Sequence, residues 1–473
     1  MLSVSFYTLG CKLNQLETEA LSESFRDEGF AIVPWIFCKD SSPEVCVINT
    51  CTVTSKAEQK ARRIIRFCLK KGCIVLVTGC YAQLEKKAIK ALSNPKEEDL
   101  FVIPGQAKDK ILDLPRFLSD SFRKGVSISE SLKHWPLYSR SDPDIMKDPD
   151  PFRFKPRRFS YHSRAFLKIQ DGCDGSCTYC RVPLARGKSI SLDSTELLQR
   201  LKTLEDDGMA EAVITGVNIC QYRDPSGKAL SLAALLKYLL DNTARIAMRL
   251  SSLEPEFFFS GQDIDENGIL EILAHKRIRN HFHLSVQSGS DSVLSAMGRS
   301  YRAWQVSRAA EILRINRNDP FLACDIITGF PGETEDDFGK TLQLCRDIDF
   351  AWIHAFPFSK RPGTYAAGIK KALVSQRIAG ERLNILAEIS RQGRHAYIDR
   401  WLGRITEAVV ESSADSPDAF FFPALTDNYL KVLIPECQDG KPLPGTAIHC
   451  RIGKPTEGIN VPDNFDTWAE YIT

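Results

Sequence analysis

RAFLKIQDGCDGSCTYC, residues 164–180, decides the architecture of this chain. The apolar stretch AFLKIQ has the length and composition of a buried strand, and it runs directly into a loop carrying Cys173, Cys177 and Cys180. The spacing is Cys-x3-Cys-x2-Cys. A structural zinc site wants four Cys or His ligands around a tetrahedron, and no fourth lies close by, since His162 precedes the strand. Three thiolates suit a four-iron cluster instead, with one iron left open to a cofactor.

Outward from this loop, strand-like segments alternate with helical patterns. AFLKIQDGC (165–173), EAVITGVNI (211–219), IAMRLSSLEP (246–255), FHLSVQSGS (282–290), ACDIITGFPGET (323–334) and AWIHAFPF (351–358) are six candidate strand ends. Six β/α units are too few for the closed eight-stranded barrel, so residues 164–392 are expected to form a partial (β/α)6 barrel, open along one side. Residues 1–117 alternate in the same way: SVSFYTLG, FAIVPW, VCVINTC and CIVLVTGC are strands of an open parallel α/β sheet. Residues 118–163, with five prolines between 136 and 156 and no period, read as a linker. Short β segments over 393–460 indicate a small all-β domain, and 461–473 a C-terminal tail. The fold class is therefore α/β with a small terminal β domain.

Composition narrows the class. The chain of 473 residues is 43% hydrophobic and 26% charged, which is that of a soluble globular protein, and its formal net charge of +2 leaves partners undecided. MLSVSFYTLG lacks a basic n-region and a cleavage site, and no apolar run reaches membrane-span length, so a cytoplasmic protein without a membrane partner is expected. Fifteen cysteines in a reducing compartment call for metal or cluster ligation at special positions. The remainder (Cys38, Cys46, Cys68, Cys73, Cys220, Cys324, Cys345, Cys437 and Cys450) read as small buried hydrophobes.

Three more cysteines occupy special positions. Cys11 follows SFYTLG, Cys51 follows VINT and Cys80 follows LVTG, each at the carboxyl end of a predicted parallel strand. Those ends share one edge of an open α/β sheet, the edge where ligands bind. The three can thus converge although they are far apart in sequence. Cys11 and Cys51 are expected to precede helices directly, whose N-termini favour thiolates. The alternative is three buried thiols that happen to end strands.

The Cys-x3-Cys-x2-Cys loop after the first of six strands resembles the radical S-adenosylmethionine (SAM) superfamily, with Tyr179 at its usual aromatic position. TLGCKLNQLETE (8–19), NTCTVTSKAEQKARRIIR (49–66), TGCYAQ (78–83), CTYCRVPLARG (177–187), RLSSLEP (249–255), QSGSD (287–291), DIITGFPGETEDDF (325–338) and HAFPFSKRPGTYAA (354–367) resemble the methylthiotransferase family of that superfamily. The resemblance covers nearly the whole chain, including a TRAM-like β domain at its end. It implies a radical SAM cluster on Cys173, Cys177 and Cys180, and an auxiliary [4Fe-4S] cluster on Cys11, Cys51 and Cys80. One SAM then supplies a methyl group and a second the radical, so that a substrate C–H becomes C–SCH3. Lys12, Leu13 and Asn14 after the first cysteine resemble the branch acting on N6-threonylcarbamoyladenosine at position 37 of transfer RNA. Isopentenyladenosine and a ribosomal-protein aspartate are the rival substrates. A non-catalytic, metal-stabilised RNA-binding protein is the rival class. ARGKSISLD (185–193) and HLSV (283–286) depart from the family's usual ARG-x-SRSR and HLPL.

SAM contacts are expected at the strand ends: Gly216 and Asn218 toward the methionine, Ser251, Ser252, Glu254 and Gln287 toward the ribose or substrate, and the turn from Gly329 through Pro331 toward adenine. Each also has a purely structural reading, because strand-end serines and glycine–proline turns are common. The implied partners are a tRNA anticodon loop and an external one-electron donor, with no DNA. Phosphate contacts are expected from Lys56, Lys60, Arg62, Arg63, Arg66, Lys70 and Lys71, opposed only by Glu58, and from Arg153, Lys155, Arg157 and Arg158. Phe421, Phe422 and Tyr429 are candidates for stacking on RNA bases or for core packing.

Overall fold

The structure, a computed structural model, describes residues 2–35, 42–93, 99–139, 149–228, 231–259, 268–370, 373–412, 421–436, 441–453 and 461–472. The amino-terminal sheet has strands β1 (Ser3–Thr8), β2 (Ala31–Ile32), β3 (Val45–Thr50), β4 (Ile74–Gly79) and β5 (Leu100–Val102). They are parallel, in the order β2-β1-β3-β4-β5. β3 is buried along its whole length, as a central strand covered on both faces must be. Helices α1 (Lys12–Asp27) and α2 (Ser55–Lys70) follow β1 and β3, and α3 (Cys80–Leu84) follows β4 directly.

Within the expected linker, the described residues 118–139 and 149–163 make fixed contacts with the amino-terminal domain. Helices span Leu114–Arg123, Ile128–His134 and Pro136–Ser139. Leu132, Trp135 and Phe154 pack into the amino-terminal core beside Phe101 and Ile111. Farther on, Glu19 accepts the backbone N–H groups of Ser160 and Tyr161 at 2.9 and 2.8 Å and stands 2.9 Å from His162 Nδ1. Prolines and charges hid the strap because its apolar anchors are few and aperiodic.

The central strands are β6 (Ala165–Lys168), β9 (Glu211–Thr215) and β10 (Ala247–Leu250) in one parallel sheet, and β11 (His281–Gln287), β12 (Phe321–Thr328) and β13 (Trp352–Pro357) in another. A small antiparallel pair, β7 (Gln170–Asp171) and β8 (Ile190–Ser191), flanks the cysteine loop. Parallel bridges from Met248 to Ile278 and from Leu253 to Leu284 join β10 to the β11 side, giving the six-stranded partial barrel. Its outer face is apolar (Phe282, Leu284, Cys324, Ile326), whereas the alternate positions His281, His283 and Asp325 line the lumen.

Strands β14 (Ile405–Val410), β15 (Phe421–Thr426), β16 (Lys431–Pro435), β17 (Ala447–Gly453) and β18 (Thr467–Ile472) close into a barrel, in the order β14-β15-β16-β18-β17. The stretch expected as a tail therefore supplies the closing strand, with Ala469 in the core. Among the described residues no helix is long and apolar enough to cross a membrane. Cys46, Cys68, Cys73, Cys324, Cys345 and Cys450 are buried thiols and Cys220 is half-buried; Cys38 and Cys437 lie outside the described residues.

Candidate functional site

Cys11, Cys51 and Cys80 meet at the carboxyl edge of the amino-terminal sheet. β1, β3 and β4 are adjacent and in register, so their ends coincide. Gly10 and Gly79, each just before a cysteine of the trio, both adopt φ +98°, which favours glycine. A Cβ on Gly10 would sit 2.8 Å from the Cys51 sulfur, and one on Gly79 2.3 Å from the Thr50 carbonyl oxygen. Cys11 caps α1 and Cys80 opens α3, whereas Thr52, Val53 and Thr54 separate Cys51 from α2. The expected helix effect does not reach Cys51. Burial instead pushes its thiol up to about 12, although the Val53 N–H points at its sulfur from 3.5 Å. Burial also raises Cys80, against the nearby positive charges of Arg186 and Lys108. A metal bound by these sulfurs would require the thiols to release their protons.

A buried group of charges lies beneath this trio. Arg186 donates to Glu17 at 3.0 Å, to Asp171 at 3.0 Å and to Asn14 at 2.9 Å. Lys108 reaches Glu17 at 2.5 Å, and Lys168 reaches Asp171 at 2.5 Å. Burial works against the Arg186 charge, but Asp171 and Glu17 hold the guanidinium firmly protonated. Three cations thus meet two carboxylates beside three cysteines, an arrangement that offsets thiolate charge.

The second trio lies on the loop after β7. The Gly175 N–H donates to Cys173 sulfur at 3.3 Å and the Val182 N–H to Cys180 sulfur at 3.4 Å. Arg299 Nη1 stands 3.1 Å from Cys177 sulfur, and its Nη2 pairs with Glu254 at 3.1 Å. Donors to sulfur of this kind tune a cluster's potential. Burial pushes the Cys180 thiol up to about 12. Tyr179 packs edge-on against Phe330 at 6.5 Å, so the Gly329–Pro331 turn buttresses the loop from below.

Among the described residues no group of three or more His, Cys, Asp or Glu side chains is arranged to hold a single metal ion. Three thiolates holding a four-iron cluster would each bind a different iron, so they need not converge on one point. The donor sets fit such a group: three unpaired cysteines each, backbone N–H groups aimed at sulfur, and glycines where a side chain would intrude.

The two loops are clamped together. Thr52, directly after Cys51, accepts from Arg181, directly after Cys180, at 3.3 Å. Arg181 also donates to Glu58 at 3.2 Å and to Glu85 at 2.8 Å. Arg361 pairs with the same Glu58 and donates to Thr52 at 3.2 Å. Glu58 is therefore buried in this junction, and of the cations on α2 it meets Arg62, at 4.0 Å.

A cavity of about 790 Å³ occupies the barrel lumen, lined at one end by Cys11, Lys12 and Leu13. Of the residues expected to meet SAM, Gly216, Ser251 and Ser252 line it, beside Cys11. Asn218 uses its side chain to accept the Cys220 N–H at 3.1 Å, and Glu254 is held by Arg299. Gln287 takes a left-handed φ of +67° at the end of β11. Gly329 and Pro331 do not line the lumen; the Gly329 N–H donates to Glu333 at 2.6 Å.

On α2, Lys56, Lys60, Arg63, Arg66, Lys70 and Lys71 are exposed, while Arg62 is half-buried and donates to Tyr81 at 2.9 Å. Lys155, Arg157 and Arg158 are exposed, but Arg153 is taken by a bidentate pair with Asp113 at 2.8 and 2.9 Å. Phe422 belongs to the terminal barrel's core, Phe421 packs on Trp468 at 4.8 Å, and Tyr429 stacks on His281 at 4.0 Å. Sequence reasoning passed over Arg181, Arg186, Arg299 and Arg361, since arginines at loop and helix ends carry no periodic signal.

Residues 167–345 match the family model described as the radical SAM superfamily, and residues 3–102 match Uncharacterized protein family UPF0004. Over 97% of its length the chain is 40% identical to the threonylcarbamoyladenosine tRNA methylthiotransferase MtaB of Treponema pallidum, covering 99% of that protein. It is 33% identical to the Bacillus subtilis protein of the same name, over 93% of this chain and 92% of that one. It is also 30% identical to the tRNA-2-methylthio-N(6)-dimethylallyladenosine synthase of Erythrobacter litoralis, over 87% and 86% of the two chains. With this geometry and these full-length relatives, the chain belongs to the radical SAM methylthiotransferase family, on its MtaB branch.

Proposed function

We propose that this transferase methylthiolates N6-threonylcarbamoyladenosine at position 37 of transfer RNA, converting it to 2-methylthio-N6-threonylcarbamoyladenosine with two SAM molecules. Cys173, Cys177 and Cys180 would hold the radical SAM cluster, and Cys11, Cys51 and Cys80 an auxiliary four-iron cluster. The observation that carries this reading is the clamp: Arg181, directly after Cys180, donates to Thr52, directly after Cys51, and shares Glu58 with Arg361, so the two cysteine loops are joined. Full-length relatives named for the threonylcarbamoyl substrate support the choice of nucleoside.

Bound at these trios, the clusters supply one-electron cleavage of SAM and a sulfur atom for transfer. The chain's own residues do the rest. Glu58, Thr52, Arg181 and Arg361 hold the two loops at fixed separation, which keeps a short-lived radical close to its target. The cationic face of α2 meets RNA phosphates, and the lumen receives a base splayed from the anticodon loop. The electron comes from an external donor, and the reaction belongs to the cytoplasm.

The direct test supplies the anaerobically reconstituted chain with SAM, a reductant and tRNA bearing either N6-threonylcarbamoyladenosine or isopentenyladenosine. Mass analysis of the nucleosides is expected to find the methylthio group on the first only. Conversion of the second alone, or of neither, would refute the substrate assignment.

A further inference from the structure

The lumen has a polar end that the chain does not satisfy by itself. Lys12 projects from the first turn of α1 into the cavity, and among the described residues no hydrogen bond or ion pair holds its ammonium group. The other deeply placed cations nearby are taken: Arg249 by Glu211 at 2.7 Å, and Arg394 by Asp466 at 2.8 Å. Two more polar atoms of residues lining this space are buried and lack a hydrogen-bond partner among the described residues, His281 Nδ1 and Ser251 Oγ, whereas His283 Nε2 pairs with Asp325 at 3.0 Å. His281 is only 4% exposed and its ring is fixed by stacking on Tyr429.

Buried polar atoms are nearly always partnered, and a sheltered charge wants a counter-ion. An unmatched ammonium beside two unmatched hydrogen-bonding atoms therefore describes a subsite for an anion that also carries polar groups. The threonylcarbamoyl substituent has that chemistry: a carboxylate, a hydroxyl and a ureido group on one short arm. The subsite also adjoins Cys11, the member of the amino-terminal cysteine trio that lines this lumen.

We propose that Lys12 anchors the carboxylate of the threonylcarbamoyl arm in the lumen, with His281 and Ser251 hydrogen-bonding its other polar groups. The inference rests on the substrate reading above and deepens it, making Lys12 a specificity-determining residue. SAM also carries a carboxylate, so a test must separate the two sources.

The experiment measures binding of anticodon stem-loop RNA to the full-length holoenzyme. The probes carry N6-threonylcarbamoyladenosine, its methyl ester or plain adenosine at position 37, and SAM binding is measured in parallel. Wild type is expected to bind the free acid at least tenfold more tightly than the ester. Lys12→Gln should bind acid and ester equally, with SAM affinity unchanged and with the same thermal midpoint, while Lys12→Arg should restore the preference. A Lys12→Gln protein that keeps the preference overturns the inference while leaving the substrate reading intact. Lost SAM affinity with the preference kept assigns the lysine to SAM and likewise overturns it. A wild type indifferent to all three RNAs sinks both readings.

Discussion

Glu58→Gln should loosen the joint between the two cysteine loops with little change of shape. In the native chain this buried carboxylate faces two buried guanidiniums, on Arg181 and Arg361. Arg181 keeps Glu85 at 2.8 Å after the change. Arg361, only 3% exposed, has no other carboxylate partner among the described residues, although Ser55 and Thr52 still accept from it at 2.8 and 3.2 Å. Removing one partner of a buried ion pair costs about 3–5 kcal/mol, and the surviving hydrogen bonds place this case near about 3 kcal/mol. At about 1.4 kcal/mol per tenfold, the opened joint becomes about a hundredfold more populated. Hydrogen exchange of peptides covering residues 52–66 and 359–364 reads that population directly. Methylthiolation should fall while SAM cleavage persists, because the Cys173 loop itself is intact. Replacing both partners, Glu58→Leu with Arg361→Met, should recover much of the protection, since no charge is then stranded. Unchanged exchange in Glu58→Gln, with full coupling of cleavage to transfer, would refute the reasoning.

Arg299→Met removes a cation 3.1 Å from Cys177 sulfur, so the reduced form of a cluster there loses stabilisation. Its midpoint potential, followed by EPR during redox titration, should move down by tens of millivolts, and an unmoved potential would contradict the assignment. Burial tends to raise the Glu211 carboxyl, but Arg249 and Arg279 outweigh it and hold the group at about 2, below its ordinary 4.5. A depressed folded-state value means the stabilisation is full above about pH 4.5 and is lost as pH falls toward about 2. A shift of this size corresponds to about 3 kcal/mol. Denaturant titrations of Glu211→Gln between those pH values should lack this acid-dependent slope, and an identical slope would remove Glu211 as its source. Replacing Cys11, Cys51 and Cys80 together by Ala should lower iron from about eight to about four per chain and abolish transfer while sparing SAM cleavage. Iron staying near eight would show that the trio is not a cluster site.

The parts that were legible in the sequence share one property: they repeat or cluster along the chain. Six strand ends, the Cys173–Cys180 spacing and Gly10–Cys11 or Gly79–Cys80 at strand termini are local patterns. The parts that were missed depend on residues far apart in sequence. Arg181 meets Glu58 across 123 residues and Arg186 meets Glu17 across 169, pairings that no periodicity announces. Glu58 reads as the one acid opposing a basic helix, and besides meeting Arg62 at 4.0 Å it is buried against Arg181 and Arg361, which the sequence does not announce. The packing of Trp135 and Phe154 in the expected linker and the strand Thr467–Ile472 in the expected tail were not legible, because such sparse anchors do not outweigh prolines and charges in a window. Placement of Cys51 followed the same limit, because three residues of loop decide whether a helix end can act on a thiol.

The central claim concerns the nucleoside, and a deletion strain tests it most directly. Nucleosides from its transfer RNA should lack 2-methylthio-N6-threonylcarbamoyladenosine and accumulate the unthiolated form, with recovery on complementation by the wild-type chain and not by Cys177→Ala. An unchanged level of the methylthio nucleoside in the deletion strain would contradict the account.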